Sequence, residues 1–64
     1  MKKSDVEKIE KYRGSTDKSK NTYLKKIYLD GGQEWTECLC FEENRKRFNT
    51  AFYEWYDKIK STTH

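Results

Sequence analysis

Two cysteines separated by one residue, Cys38 and Cys40, are the side chains of this sequence best suited to chemistry. A thiolate can act as a nucleophile or bind a soft metal ion. A glycine pair precedes them in residues 29–41, LDGGQEWTECLCF, and closely spaced glycine amides can bind phosphate. Each of these chemistries requires further residues elsewhere in the chain, such as metal ligands, a catalytic base or a helix after the glycines.

Metal and disulfide chemistry find little support at the cysteine pair. A closed zinc site needs four ligands, whereas the chain offers two cysteines and one histidine, His64. Half of a metal site shared by two copies, or a site for Cu(I), is the alternative. Side chains two residues apart on a β-strand run parallel and do not reach disulfide geometry. We therefore expect Cys38 and Cys40 to be ordinary small apolar residues in a reducing compartment, with no metal and no cofactor.

The glycine pair belongs to Asp30-Gly31-Gly32, which predicts a turn. A phosphate-binding loop leads into a helix, whereas this one leads into a predicted strand. Catalysis by a cysteine needs a base within hydrogen-bond reach, and the single histidine is the last residue. Carboxylate pairs need a cleft that shifts one pKa, and a domain this small rarely forms one. We therefore expect no catalytic residue, and the chain is predicted not to be an enzyme.

The composition predicts one small folded domain, residues 1–64, with a thin core. Charged residues make up 39% of the chain and hydrophobic ones 33%, a balance that favours disorder when aromatic residues are scarce. Aromatic residues make up 16%, however, and each large ring adds much buried area to a small core. The net charge is +3, but 14 basic and 11 acidic residues are interleaved, unlike the basic block of a nucleic-acid-binding tail.

The sequence also predicts a cytoplasmic protein that does not enter a membrane. No apolar run approaches the length of a membrane-spanning helix, and residues 1–14 lack the apolar centre of a signal peptide. The absence of proline and the abundance of lysine are typical of AT-rich bacterial or mobile-element genomes.

A short helix followed by a loop is predicted at the start of the chain. Ser4 and Glu7 have the spacing of a capping box, and Gly14 can end a helix with a positive φ. We therefore expect a helix over about residues 4–13. Residues 14–21 contain no apolar side chain, and we expect them to form a loop.

Residues 22–41 are predicted to form a two-stranded antiparallel hairpin. Two runs rich in β-branched and aromatic residues lie on either side of Asp30-Gly31-Gly32. A three-residue loop places Ile27 opposite Trp35 and brings most apolar side chains to one face. A two-residue turn would scatter them over both faces, so we expect the first register.

Residues 42–60 have the clearest helical pattern of the sequence. Aromatic and aliphatic residues recur there at spacings of three and four. They are Phe48, Ala51, Phe52, Trp55, Tyr56 and Ile59. The resulting order is α-β-β-α, and we expect an α+β fold in which this long amphipathic helix packs on one face of the hairpin.

Two surfaces of this arrangement are candidate partner-binding sites. The outward face of the long helix combines basic and amide side chains with a tyrosine, which can stack on a base or anchor a protein contact. The uncovered face of the hairpin is partly apolar and lies beside a lysine-rich stretch. The candidates are Lys46, Arg47, Asn49, Tyr53 and Lys60 on the helix and Leu24, Lys26 and Tyr28 on the hairpin. The alternatives are that the helix is covered over more of its surface than this arrangement implies, or that Tyr53 is a solitary surface aromatic with no binding role.

Partner binding is therefore the expected function. Both hairpin edges would be unpaired, so an edge-to-edge homodimer or an added strand from a target would complete the sheet. Small α-β-β-α chains rich in lysine and aromatic residues serve phages and mobile elements as inhibitors, which is an analogy at the level of the fold alone. We expect a non-enzymatic regulator or inhibitor that binds an unidentified protein partner, with nucleic acid as the alternative partner.

Overall fold

A computed structural model describes residues 2–62, and within them the chain forms three α-helices. Helix α1 spans Lys3–Lys11, α2 spans Lys18–Asp30, and α3 spans Glu42–Thr62. An irregular segment, residues 31–41, connects α2 to α3. No strand is present in the described part of the chain, so the prediction of an α+β fold with a β-hairpin is wrong.

Helix α2 begins within the predicted loop because Asp17 caps its N-terminus. The Asp17 carboxylate accepts hydrogen bonds from the backbone N–H groups of Ser19, at 2.9 Å, and Lys20, at 3.4 Å. These bonds satisfy donors that the first turn of a helix leaves without partners. The Ser19 hydroxyl, followed by these two amides, lowers the pKa of the Asp17 carboxyl.

The residues that α2 buries are spaced as on a helix and do not alternate as on a strand. Asn21, Leu24 and Tyr28 are buried, at spacings of three and four, and therefore lie on one face. The Tyr28 ring packs against Phe48 and Phe52 of α3, with ring centroids 5.5 and 5.9 Å apart. The outward positions predicted for Leu24 and Tyr28 are therefore wrong.

The glycine pair ends α2 and does not connect two strands. The Gly31 amide donates to the carbonyl of Ile27 at 3.0 Å, and Gly32 has a φ of +88°, which glycine adopts without strain. Gly31 also permits close packing, since a Cβ there would lie 2.5 Å from Cζ2 of Trp55. Residues typical of a hairpin turn thus serve equally well to stop a helix.

The predicted second strand is an irregular segment that covers part of the core. The Trp35 ring packs against Phe48 of α3, with centroids 5.3 Å apart, and Leu39 is buried. Since residues 2–62 contain no strand, they also have no sheet edge, so the hairpin edge through which a homodimer was predicted is absent from them.

Helix α3, predicted over about residues 42–60, is present and is covered on two sides. Phe48 and Phe52 are buried against α2, whereas Tyr53 and Tyr56 face α1. The buried arc is therefore wider than a single stripe, because two helices contact α3. The outward position predicted for Tyr53 is wrong for this reason.

Helix α1 is present as predicted, but its N-terminus differs. It begins at Lys3, one residue before Ser4, and its N-cap residue Lys2 makes no side-chain capping hydrogen bond. The predicted capping box at Ser4 is therefore wrong. Gly14, after the helix, has a φ of +77°, and its amide donates to Oδ1 of Asn49 in α3 at 2.9 Å.

Candidate functional site

An apolar groove lies where the C-terminal parts of α2 and α3 meet α1. Its volume is about 630 Å³. Val6, Ile27, Trp55 and Ile59 provide its apolar lining. Two carboxylates, those of Asp5 and Asp30, also line it, so the groove combines apolar surface with negative charge.

The position of Trp55 shapes this groove. Its ring packs edge to face with Tyr28, at a centroid distance of 5.4 Å, and against Phe52 at 5.6 Å. Because Gly31 has no Cβ, the indole also lies directly against the end of α2. The ring is thus fixed from the core side, while the partly exposed remainder faces the groove.

The two groove carboxylates lie at opposite ends of their helices. Asp5 lies in the first turn of α1, where the helix dipole favours a negative charge, and accepts a hydrogen bond from the Tyr23 hydroxyl at 2.8 Å. Burial, followed by this bond, raises the pKa of Tyr23 to about 12. Asp30 is the exposed last residue of α2, where a carboxylate is mildly unfavourable.

Ion pairs join α1 and the turn that follows it to α3. Lys60 Nζ lies 2.8 Å from Oε1 of Glu10, and the Arg13 guanidinium makes two bonds to Asp57, at 2.9 and 3.3 Å. The hydrogen bond from Lys60 lowers the pKa of Glu10, and that from Arg13 lowers the pKa of Asp57. Lys60 also lines the groove but is engaged within the fold.

The sequence-predicted binding residues do not form one surface. Leu24, Tyr28, Asn49 and Tyr53 are buried. Lys26, Lys46, Arg47 and Lys60 are exposed. Of the exposed residues, only Lys60 lines the groove, whereas Lys46 and Arg47 lie beside a shallow depression elsewhere on α3. Arg47 is paired there with Glu37 at 2.8 Å.

Tyr53, the residue on which nucleic-acid stacking was predicted to depend, is 5% exposed. Its hydroxyl donates to the backbone carbonyl of Ile9 in α1, and the Arg13 guanidinium lies 4.4 Å from its ring centroid. Burial raises the pKa of Tyr53 to about 12. Its ring therefore joins two helices and is not presented to a base.

Both cysteines lie in the irregular segment before α3 and are exposed. In residues 2–62, no cluster of three or more histidine, cysteine, aspartate or glutamate side chains is arranged to hold a metal ion. His64 lies outside the described residues. The argument against a disulfide from parallel side chains on a strand no longer applies, because Cys38 and Cys40 are not on a strand.

Sequence reasoning missed the groove because its residues come from three separate helices. Each apolar member, such as Ile27 or Trp55, was assigned to a core stripe. One local signal was present: Asp30 stands immediately before a helix-ending glycine pair, where the helix dipole favours a basic residue.

Comparisons with protein-family models, curated proteins and solved structures gave no match. None of the helices in the described residues has the length and apolar content needed to cross a bilayer. The analogy with α-β-β-α inhibitors depends on a hairpin, which residues 2–62 do not contain. Functional inference therefore rests on the geometry and charge of the side chains.

Proposed function

We propose that this protein is a small non-enzymatic interaction module, a regulator or inhibitor that binds a segment of a partner protein in the groove between its three helices. The observation that carries the proposal is the Trp55 indole, fixed from behind and partly exposed beside Ile27 and Ile59. A rigid aromatic ring in a partly apolar pocket is typical of the residues that dominate binding energy in protein interfaces. The groove volume of about 630 Å³ suits the side chains of a short segment.

The proposed occupant is an apolar anchor flanked by lysine or arginine. Asp5 and Asp30 supply negative charge beside the apolar lining, and complementary charge favours a basic partner. Asp30 is the stronger indicator, because its position at the end of α2 is mildly unfavourable for the helix itself. A cation from a partner would compensate that carboxylate.

Nucleic acid is the alternative partner, and two observations weigh against it. Exposed Lys26 and Lys46 supply positive charge, but Arg47 is already paired with Glu37. Tyr53, which the sequence predicts to stack on a base, is a core residue. We therefore favour protein recognition and keep nucleic acid as an outcome of the test below.

The proposal includes the cytoplasm as the compartment. Cys38 and Cys40 are exposed thiols without a disulfide, and such thiols persist in a reducing compartment.

The test is selection from a displayed library of random peptides against the full chain. We expect selected peptides to share an aromatic or aliphatic residue with lysine or arginine close by. They should bind the Asp30→Lys variant at least about ten-fold more weakly, because that change replaces attraction by repulsion in the groove. The matched control is Glu54→Lys, an equal charge reversal at an exposed position outside the groove, which should leave binding unchanged.

Two results would overturn the proposal. The first is a selection whose peptides bind Asp30→Lys and Glu54→Lys equally. The second is tight binding of a single-stranded oligonucleotide that weakens steeply with salt, since phosphate contacts have that signature and an apolar protein interface does not.

A further inference from the structure

The unit Cys38-Leu39-Cys40 holds two thiols on the surface of the protein. Leu39 is 9% exposed and anchors the unit in the core, whereas both flanking cysteines are exposed. The backbone turns at Leu39 and Cys40, and the Cys40 amide donates to the Cys38 sulfur at 3.3 Å. The two thiols also make a side-chain hydrogen bond with each other, so the two sulfurs are neighbours on the outside of a bend.

Helix α3 fixes this unit through its carbonyl groups. Arg45 Nη1 donates to the carbonyls of Leu39, at 3.1 Å, and Cys40, at 2.9 Å. Asn44 Nδ2 donates to the carbonyl of Cys38 at 2.7 Å. Every carbonyl of the three-residue unit thus has a side-chain donor, which holds the two thiols in a defined arrangement.

The two thiols have opposite electrostatic surroundings. Hydrogen bonds from the Cys40 thiol and amide, together with the charges of Lys18 and Lys25 on α2, lower the pKa of the Cys38 thiol. The hydrogen bond with Cys38 raises the pKa of the Cys40 thiol. These directions favour Cys38 over Cys40 as the thiolate nucleophile, an asymmetry suited to stepwise exchange.

The surrounding charges also distinguish between ligand classes. Lys18, Lys25 and Arg45 are cations near the thiols, so a metal cation would be repelled there. The same cations attract a reagent that carries carboxylates. An anionic disulfide of low molecular weight therefore fits this site better than a metal ion does.

We propose that Cys38 and Cys40 form a redox-active dithiol that exchanges with an anionic low-molecular-weight disulfide of the glutathione disulfide class. The Cys38 thiolate attacks one sulfur of glutathione disulfide, forms a mixed disulfide and releases one glutathione thiolate. Cys40 then gives its proton to solvent and attacks the Cys38 sulfur, which forms the Cys38–Cys40 disulfide and releases the second glutathione thiolate. The protein loses two electrons and two protons, and glutathione disulfide is reduced to two thiols.

The test follows the reaction of the full, reduced chain with glutathione disulfide by mass spectrometry after acid quenching and alkylation. The wild type should lose two hydrogens and take up no alkylating agent. The Cys40→Ser variant should stop at a single glutathione adduct on Cys38. That adduct should form at least about three-fold faster than the adduct on Cys40 in Cys38→Ser, because a larger thiolate fraction outweighs a modest loss of nucleophilicity.

Charge variants in the Cys40→Ser background provide the matched comparison. Lys18→Gln and Lys25→Gln should slow adduct formation, by about two-fold or more each, whereas Lys26→Gln on the same helix should not. Circular dichroism of each variant shows whether the helices are retained.

Four results would overturn the inference. They are a wild type that carries two glutathione adducts, a disulfide-linked dimer, equal rates for the two single-cysteine variants, and stoichiometric binding of cuprous ion with no reaction toward glutathione disulfide.

Discussion

The Asn49 side-chain amide donates a hydrogen bond of 3.3 Å to the amide oxygen of Asn21, and both residues are buried between α3 and α2. Asn49 Oδ1 accepts from the Gly14 amide at 2.9 Å, and Asn21 Nδ2 donates to the Ser15 carbonyl at 3.3 Å. Two polar side chains thus connect both helices to the loop after α1. Because a buried polar group without a partner is costly, the pair favours one alignment of these elements.

Removal of the Asn49 side chain tests this connection. We expect Asn49→Ala to lower the free energy of unfolding by about 1–3 kcal/mol, because Asn21 and the Gly14 amide lose a buried partner. Urea denaturation followed by circular dichroism measures the change. The control is Asn44→Ala, whose lost bond to the Cys38 carbonyl is exposed and open to replacement by water. Equal losses for the two variants would contradict the role of the buried pair.

Substitutions at Tyr53 test the burial of the α1-facing side of α3. We expect Tyr53→Ala to cost about 3–5 kcal/mol, since it removes a large buried ring. Tyr53→Phe, which removes only the bond to the Ile9 carbonyl, should cost about 1 kcal/mol. Phe41→Ala is the control, because Phe41 is 66% exposed. Thermal denaturation gives all three values, and a Tyr53→Ala variant as stable as the wild type would restore the outward position predicted from sequence.

The contact between Gly31 and Trp55 gives a prediction whose sign depends on packing. Gly31 has a φ of −80°, which alanine adopts easily, so without a clash Gly31→Ala would stabilise by about 0.4–1 kcal/mol. Since a Cβ would lie 2.5 Å from the indole, we expect a loss of about 1–3 kcal/mol instead. In a Trp55→Leu background the loss should shrink. Additive effects in this double-mutant cycle, measured by urea denaturation, would contradict the contact.

Acid should destabilise the junction between α1 and α3. Glu10 and Asp57 have folded pKa values below their ordinary values of 4.5 and 3.8, so the unfolded chain binds more protons in this range. The contribution of these two carboxylates to the free energy of unfolding is complete above their ordinary pKa values. It is lost as the pH falls through their lower folded pKa values.

Urea denaturation between pH 6 and pH 2 measures this dependence. The combined Arg13→Gln and Lys60→Gln variant should lose stability less steeply in acid, because the cations that lower the two pKa values are absent. The variant should still lose some stability in acid, because hydrogen bonds from Ser19 and Lys20 also lower the pKa of Asp17. An unchanged slope in the variant would show that these ion pairs do not contribute.

Helix α3 was predicted from the sequence and helix α2 was not, and both outcomes have the same physical cause. In α3, large apolar residues recur over several turns, and only a helix brings them together. In α2, Tyr23, Ile27 and Leu29 also fit strand alternation, and Asn21 resembles a loop residue although it is buried. Whether a segment with strand propensity forms a strand depends on what packs against it. In this chain α3 packs against a helical face of residues 18–30.

The position of Tyr53 and the existence of the groove depend on how three helices meet. A helical wheel shows which residues share a face, but not how many neighbours cover the helix. The Tyr53 hydroxyl donates to the Ile9 carbonyl, and the Trp55 ring packs beside Gly31. In both cases the partner is distant in the sequence. Long-range contacts of this kind leave no local pattern in the chain.

The most direct test of the proposed function maps a selected peptide onto the protein by ¹⁵N-resolved nuclear magnetic resonance. The Trp55 indole N–H and the amides of Asp30 and Gly31 report on the groove, and those of Lys46 and Arg47 report on a separate exposed part of α3. We expect the peptide to shift the signals of Trp55, Asp30 and Gly31 and to leave those of Lys46 and Arg47 in place. Shifts centred on Lys46 and Arg47, with an unchanged Trp55 indole, would contradict partner binding in the groove.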